Sequence, residues 1–408
     1  MLMQLSKQRR RILLVATNSL NNLLLPIFNV GVSLLVIRLA SVTLWGEFVN
    51  VLLTVQLGAH VISWGNKEYL LRAFSFNPSD ITRPWQTAFL TRLLLYLGFM
   101  VVMSLGGWPL SWLIIIWVWG LGLMVAQAAE VLVVYRRAFV FAVLVELTSV
   151  LFLLGSIAGL GDGLTMTRLL ALFCAAQAGK AAALIIHFRR QTLNGVRGRV
   201  DSHYFLLALP FFLLGFTGML QSRIDLYSVS YFLSREEVGQ YQVLTGFLLY
   251  LQALANFILT PFVKSLYRLQ YEIIRKISRR LFGLGLLLVP PAMGIIYWLL
   301  VHVYHFTVSP WLLLVGGLHV LPLYFTLPII YALYKSDQQK QVFYVNLVNI
   351  LLDILLNIWW IPHLGLMGAL LSTMLTSWLT LLFYWYRGRA LRTPNDSPLP
   401  DLPSPPPF

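Results

Sequence analysis

Apolar stretches of about twenty residues recur from one end of this chain to the other, each long enough to cross a hydrocarbon layer roughly 30 Å thick. Lipid offers the backbone no hydrogen-bond partners, so a chain that crosses it must be helical or close into a barrel. The runs are continuous rather than alternating, which selects helices. Composition agrees. Of 408 residues 58% are hydrophobic and 11% are charged, against about 25% charged in an average soluble domain. The expected fold is an all-α integral membrane protein with twelve transmembrane helices. The spans fall at roughly 14–39, 47–71, 85–105, 110–134, 138–160, 166–186, 205–233, 238–259, 281–303, 310–333, 342–361 and 364–386.

Lysine and arginine placement orients these spans. With the N-terminus in the cytoplasm, 24 of the 30 cationic residues fall in inside segments. Only Arg38, Arg168 and Arg235 fall outside, and Arg92, Lys180 and Arg223 lie within spans. Both termini are therefore expected in the cytoplasm. The same distribution explains the net charge of +15 without nucleic acid, because basic loops suit the anionic cytoplasmic leaflet. The N-terminus runs from basic to apolar with no small-residue cleavage site, as a retained first helix would. Cys174 is the single cysteine, which excludes internal disulfides and cysteine-based metal clusters. His60, His302, His305, His319 and His363 are scattered, without metal spacing or triad partners. No cofactor and no catalytic residue is expected.

The chain divides into an N-terminal six-helix bundle (1–190), a basic cytoplasmic linker (191–204), a C-terminal six-helix bundle (205–390) and a disordered proline-rich tail (391–408). The halves echo one another. Gly46-Glu47-Phe48 opens span two and Gly239-Gln240-Tyr241 opens span eight. This pattern reads as a degenerate duplication in parallel orientation, an arrangement in which transporters place the substrate between the halves.

The stretch "NIWWIPHLGLMGALLSTML" (Asn357 to Leu375) resembles the polysaccharide-flippase branch of the multidrug/oligosaccharidyl-lipid/polysaccharide exporter superfamily. Asn357, Pro362, Gly365, Gly368, Ala369 and Thr373 carry the likeness, with Pro362 and Gly365 turning the chain between spans. "GNKEYLLRAFS", "RIDLYSVSYFLSREEVGQY" and "YALYKSDQQKQ" are similar to that branch too. The first half's counterpart, "IAGLGDGLTMTRLL", keeps the glycines but lacks the proline. The resemblance implies two six-helix bundles around a central cleft that opens alternately to either side of a bacterial inner membrane. The implied cargo is a polyprenyl-diphosphate-linked oligosaccharide for surface or exopolysaccharide biosynthesis, with membrane lipids around it. A glycan polymerase and glycosyltransferases are expected partners.

Charges at bilayer depth are the candidate site residues. Arg223 lies about ten residues, or roughly 15 Å, from the outer end of span seven. Asp225 is two residues on and points about 200° away, so the two do not simply neutralise each other. Arg223 either holds an anionic group in the cleft or forms an interhelical ion pair. Asp225 either places a partner or carries a coupling ion, H⁺ or Na⁺. Arg38, Arg92 and Lys180 either line the cleft for the substrate or snorkel to headgroups. Lys67 and Arg72 close span two at the inner mouth, where a diphosphate would first arrive, or anchor the inner leaflet. Asn346, Asn349, Asp353 and Asn357 form a polar stripe on one face of span eleven. Asp353 is the second candidate ion carrier, Asn346 and Asn349 line the cavity, and Asn357 belongs to helix packing. Glu130 and Glu146 are weaker candidates. Two rival functions remain: an ion-coupled multidrug exporter of the same superfamily, and a membrane glycan polymerase or ligase, which would need a sizeable outer loop.

Overall fold

The apolar runs form helices in the structure, a computed structural model that describes residues 28, 30–193, 195, 198–259, 266, 269–336 and 338–390. No strand occurs among the described residues. In chain order the helices are α1 (Val30–Leu39), α2 (Val42–Ser63), α3 (Asn66–Phe76), α4 (Thr82–Leu105), α5 (Leu110–Arg136), α6 (Phe139–Leu160) and α7 (Met166–His187). The short α8 (Arg189–Thr192) follows, then α9 (His203–Phe232), α10 (Arg235–Leu259), α11 (Tyr271–Trp298), α12 (Pro310–Lys335), α13 (Gln339–Leu364) and α14 (Leu366–Ala390). Among the described residues, eleven helical stretches are long and apolar enough to cross a membrane. They follow expected spans two to twelve in order. Of the first span only α1 is described. The N-terminal residues before it and the 391–408 tail lie outside the described residues.

Local chemistry sets the helix ends. Ser41 caps α2, its Oγ accepting from the Leu44 N–H at 3.0 Å, and Pro310 opens α12, where a missing N–H costs nothing. Gly365 turns the chain after α13 with φ of 58°, a conformation that disfavours a Cβ. Pro362 lies inside the last turn of α13, so the turn between the last two spans falls to Gly365 alone. Span two is not one helix. It breaks at Trp64 and Gly65, whose φ angles of 44° and 66° are both left-handed. Span nine starts ten residues before the expected 281, at Tyr271. The basic run Arg275–Arg280 is helical because Ile274, Ser278 and Leu281 bury one face at spacings of four and three.

Two ends of the molecule can be told apart. At the end holding Arg38, Arg235 and His305, one apolar core runs through both halves, joining Val36, Phe48 and Leu170 to Val229, Tyr241 and Leu370. At the other end, which carries most of the described lysines and arginines and is called the basic end below, two smaller clusters lie apart, the first holding the start of α9 (Tyr204 and Ala208) against the N-terminal half. The first also contains Leu70, Trp85 and Leu132; the other contains Ile329, Val342 and Tyr384. The loops of the shared-core end are short, the longest described being the few residues between Val303 and Pro310.

The echoed glycines meet. A Cβ on Gly46 would strike the carbonyl of Arg235, and one on Gly239 would come within 2.7 Å of the Val42 oxygen. Lipid gives helices no hydrophobic reason to associate with each other, so close backbone approach at small residues supplies the contact. Trp45 Nε1 donates to Gln242 Oε1 across the same crossing at 2.9 Å. The linker is strapped along α4. The Gln86 carboxamide donates to the oxygens of Thr192 (3.0 Å) and Gly195 (2.7 Å) and accepts from the Gly198 N–H (2.9 Å), and Thr91 accepts from the Asp201 N–H at 3.0 Å. Gly46→Leu should part the crossing at an overpacking cost of about 1–3 kcal/mol. In that background Gln242→Cys should react with an impermeant thiol reagent, and with Gly46 intact it should not. Labelling rates in intact cells check this.

Candidate functional site

The geometry turns on α9. Arg223, Tyr227 and Ser230 share one helix face at spacings of four and three. Tyr227 donates to the Leu53 oxygen of α2 at 3.0 Å. Ser230 bonds the Asn50 carboxamide, whose other end meets the Arg235 guanidinium. That face is the seam between the halves, so Arg223, half-buried, lies on it. Asp225 is on the other side of α9. Its Oδ2 accepts from Tyr241 OH at 2.8 Å, and it lines a cavity of about 320 Å³ inside the C-terminal half, walled by α9, α10, α12, α13 and α14. Two residues of sequence thus separate a cation on the seam from a carboxylate inside one bundle.

The stripe of α13 completes that cavity. Asn346, Asn349 and Asp353 line it. Asp353 is 4% exposed, and its Oδ1 meets no donor among the described residues. Asn349 donates to Thr380 at 2.5 Å. Asn357 lies off the cavity and fully buried, accepting from Ser372 of α14, so it joins helices as expected. Thr373, Thr376, Ser377 and Thr380 line the cavity from α14, and each hydroxyl donates to the carbonyl four residues back. Hydroxyls that spend their hydrogens this way present only lone pairs to a neighbour. Two carboxylates, amide oxygens and hydroxyl oxygens therefore converge, and no lysine or arginine lines the cavity. Oxygen donors of this kind suit a proton or a hard cation.

His319 was not legible as part of this site. Its Nδ1 lies 3.1 Å from Ser377 Oγ and its Nε2 3.0 Å from Gln252, and it lines the same cavity as both aspartates. Read linearly it is one histidine in an apolar run. Its tie to the stripe exists only through α12 packing on α14. Tyr241, the partner of Asp225, was equally hidden, although it belongs to the echoed glycine motif.

The expected basic lining of the cleft is mostly not there. Lys180 neither snorkels nor faces the seam. It pairs with Glu146 inside the N-terminal half, with 28% and 13% of the two side chains exposed. Arg92 is fully buried beside α9. Its Nε donates to the Ala88 oxygen at 3.4 Å, and its two terminal nitrogens have no partner among the described residues. Lys67 pairs with Glu130 at 2.7 Å. Arg72 is exposed and lies over the Phe76 ring at 5.8 Å. Arg38 donates to His305 at 2.7 Å at the shared-core end. Apart from Arg92, each contact satisfies locally a charge that the sequence alone leaves open. Glu130 and Glu146, the weaker candidates, are the partners that do so.

No family model matches the chain, and no curated protein matches it. Solved structures do. The lipid II flippase MurJ in an inward closed conformation superposes with a TM-score of 0.67 at 13% identity, covering 93% of this chain and 87% of that one. An inward-facing multidrug resistance transporter of the MATE family of the MOP superfamily superposes with a TM-score of 0.62 at 11% identity, over 90% and 95% of the two chains. The chain has the fold these transporters share.

Lys180→Met should leave the Glu146 carboxylate buried alone and cost about 3–5 kcal/mol, while Lys180→Met with Glu146→Gln should recover most of it. Thermal unfolding of the purified variants checks the pair. A substrate-contacting lysine would not be rescued by the second change.

Proposed function

We propose that this protein is a flippase that moves a polyprenyl-diphosphate-linked oligosaccharide from the cytoplasmic to the outer leaflet of a bacterial inner membrane. The halves 1–190 and 205–390, joined by the linker 191–204, rock about the seam, and the seam receives the lipid's head while its tail stays in the bilayer. The observation that carries this reading is the division of α9, with Arg223 on the seam and Asp225 in the C-terminal cavity. An arginine fork makes paired charge-assisted bonds to a phosphate. A cation entering beside Asp225 and Asp353 changes the charge inside the bundle to which α9 belongs, so one helix feels both ligands. Coupling between two sites needs such a shared element with two arrangements. The solved MurJ structure, described as a lipid II flippase, supports the cargo class.

A multidrug exporter is the second reading, supported by the MATE neighbour and by a cavity that bears carboxylates without lysine or arginine among the described residues. That cavity lies within one half, whereas the arginine faces the seam, which favours an anionic cargo there.

Arg223→Ala and Asp225→Asn should each lower surface glycan export about tenfold or more, the loss of one charge-assisted contact. Lipid-linked oligosaccharide should accumulate on the cytoplasmic leaflet while protein levels stay normal. Export measured beside a drug-sensitivity panel separates the readings, because drug sensitivity with normal export would support the exporter. Asp353→Asn should abolish the dependence of export on the cation gradient, checked in vesicles with an imposed pH or Na⁺ difference.

A further inference from the structure

We propose that the broken second span builds a subsite for one neutral sugar ring at the basic end of the seam. This rests on the flippase reading and adds to it where the sugar, as distinct from the phosphate, is held. Irregular backbone at membrane depth is tolerated where it is buried in protein or lines a cavity. Here the break does line one. Ser63, Gly65 and Asn66 from the α2–α3 junction, Gln127 from α5, and Phe212 and Phe216 from α9 enclose about 200 Å³. That is the volume of about six or seven waters, enough for a single ring.

The wall is polar, and two of its carboxamides lack partners. Asn66 is 2% exposed, and neither its Nδ2 nor its Oδ1 meets a partner among the described residues; the same holds for Gln127 Oε1. Asn66 also opens the first turn of α3, which has no side-chain cap. Buried polar atoms are normally satisfied, so a cluster left open in a cavity wall marks the place of an occupant. A carboxamide offers donors and acceptors together, and a hydroxyl group does the same. A phosphate accepts only. It would leave Asn66 Oδ1 and Gln127 Oε1 facing negative charge.

The charges point the same way. Lys67, Glu68 and Glu130 line the cavity, which leaves a net charge of one negative there, and Lys67 is already neutralised by Glu130. An anion is therefore repelled. A small cation is disfavoured too, by the positive end of α3. A neutral polyol remains. The rings supply its other contact: Phe212 stacks on Trp64 at 4.1 Å and lies 5.2 Å from Phe216. The C–H face of a sugar ring, weakly positive, suits the negative face of such rings. The cavity thus takes a sugar, and the diphosphate belongs elsewhere on the seam, at Arg223, seven residues or about 10 Å along α9 from Phe216.

The test is protection of an introduced thiol. Ser63→Cys in a Cys174→Ala background places a near-isosteric reporter in the wall, with Asn66, Gln127, Phe212 and Phe216 left intact. The full chain in lipid nanodiscs is alkylated with a small neutral maleimide. Glucose, galactose, N-acetylglucosamine or inorganic pyrophosphate is added as the probe. At least one sugar should slow the reaction severalfold, and pyrophosphate should not. Asn66→Leu should weaken that protection by about tenfold, the loss of one buried polar contact. Gln127→Leu, away from the helix break, should do the same and guards against a folding defect at Asn66. Protection by pyrophosphate, or by none of the sugars, overturns the subsite. If that happens while Arg223→Ala still blocks glycan export, the flippase reading stands without it. Unimpaired export in Arg223→Ala removes the flippase reading instead.

Discussion

A bilayer interior supplies no hydrogen-bond partners, and that single constraint organises the described charges of this protein. A charged or polar side chain at that depth must find an opposite charge, a backbone group or a cavity. Lys67 and Lys180 find glutamates, and Asn357 finds a serine on the neighbouring helix. Asp225 and Asp353 have no ion-pair partner among the described residues and lie on a cavity, while Arg223 lies on the seam between the halves. The functional candidates are among the charges left without such a partner, as is Arg92, whose terminal nitrogens meet none among the described residues.

The constraint also shapes the contact between the halves. Without a hydrophobic driving force in lipid, the crossing of α2 and α10 depends on shape, and the two echoed glycines let backbone touch backbone there. Side-chain bonds from Trp45, Tyr227 and Ser230 gather around that crossing. Such bonds contribute modestly, averaging about 0.6 kcal/mol each in membrane proteins. A contact made of close packing and weak bonds can hold one arrangement and still be released. At the basic end the start of α9 packs on the N-terminal half through Tyr204 and Ala208, and the linker is strapped along α4.

The helices were legible because a span must be long, apolar and continuous, and eleven of them are found in order. What was not legible depends on two residues or on packing. The break at Trp64 and Gly65 shows in sequence only as one glycine among many, although it positions Asn66 and Lys67. Pro362 suggested a turn that Gly365 makes alone. The opposed directions of Arg223 and Asp225 followed from helix geometry. Which direction meets the seam and which meets the C-terminal cavity depended on Tyr227 and Tyr241 finding their partners. The polar stripe of α13 was visible as a spacing, whereas the matching hydroxyls of α14 and His319 of α12 entered the site only through tertiary contact. The fates of Arg92 and Lys180 could not be read, since snorkelling and burial inside the protein look identical in a linear chain.

The central claim is that the two halves move as units about the seam when the lipid-linked head binds. Spin labels at Arg72 and Tyr344, both exposed and in different halves, report that motion by pulsed dipolar spectroscopy in nanodiscs. A pair at Arg72 and Arg136 within one half is the control. Adding lipid-linked oligosaccharide should shift the distance between the halves and leave the control pair unchanged. An unaltered distance between the halves, or an equal shift in the control pair, would contradict the account.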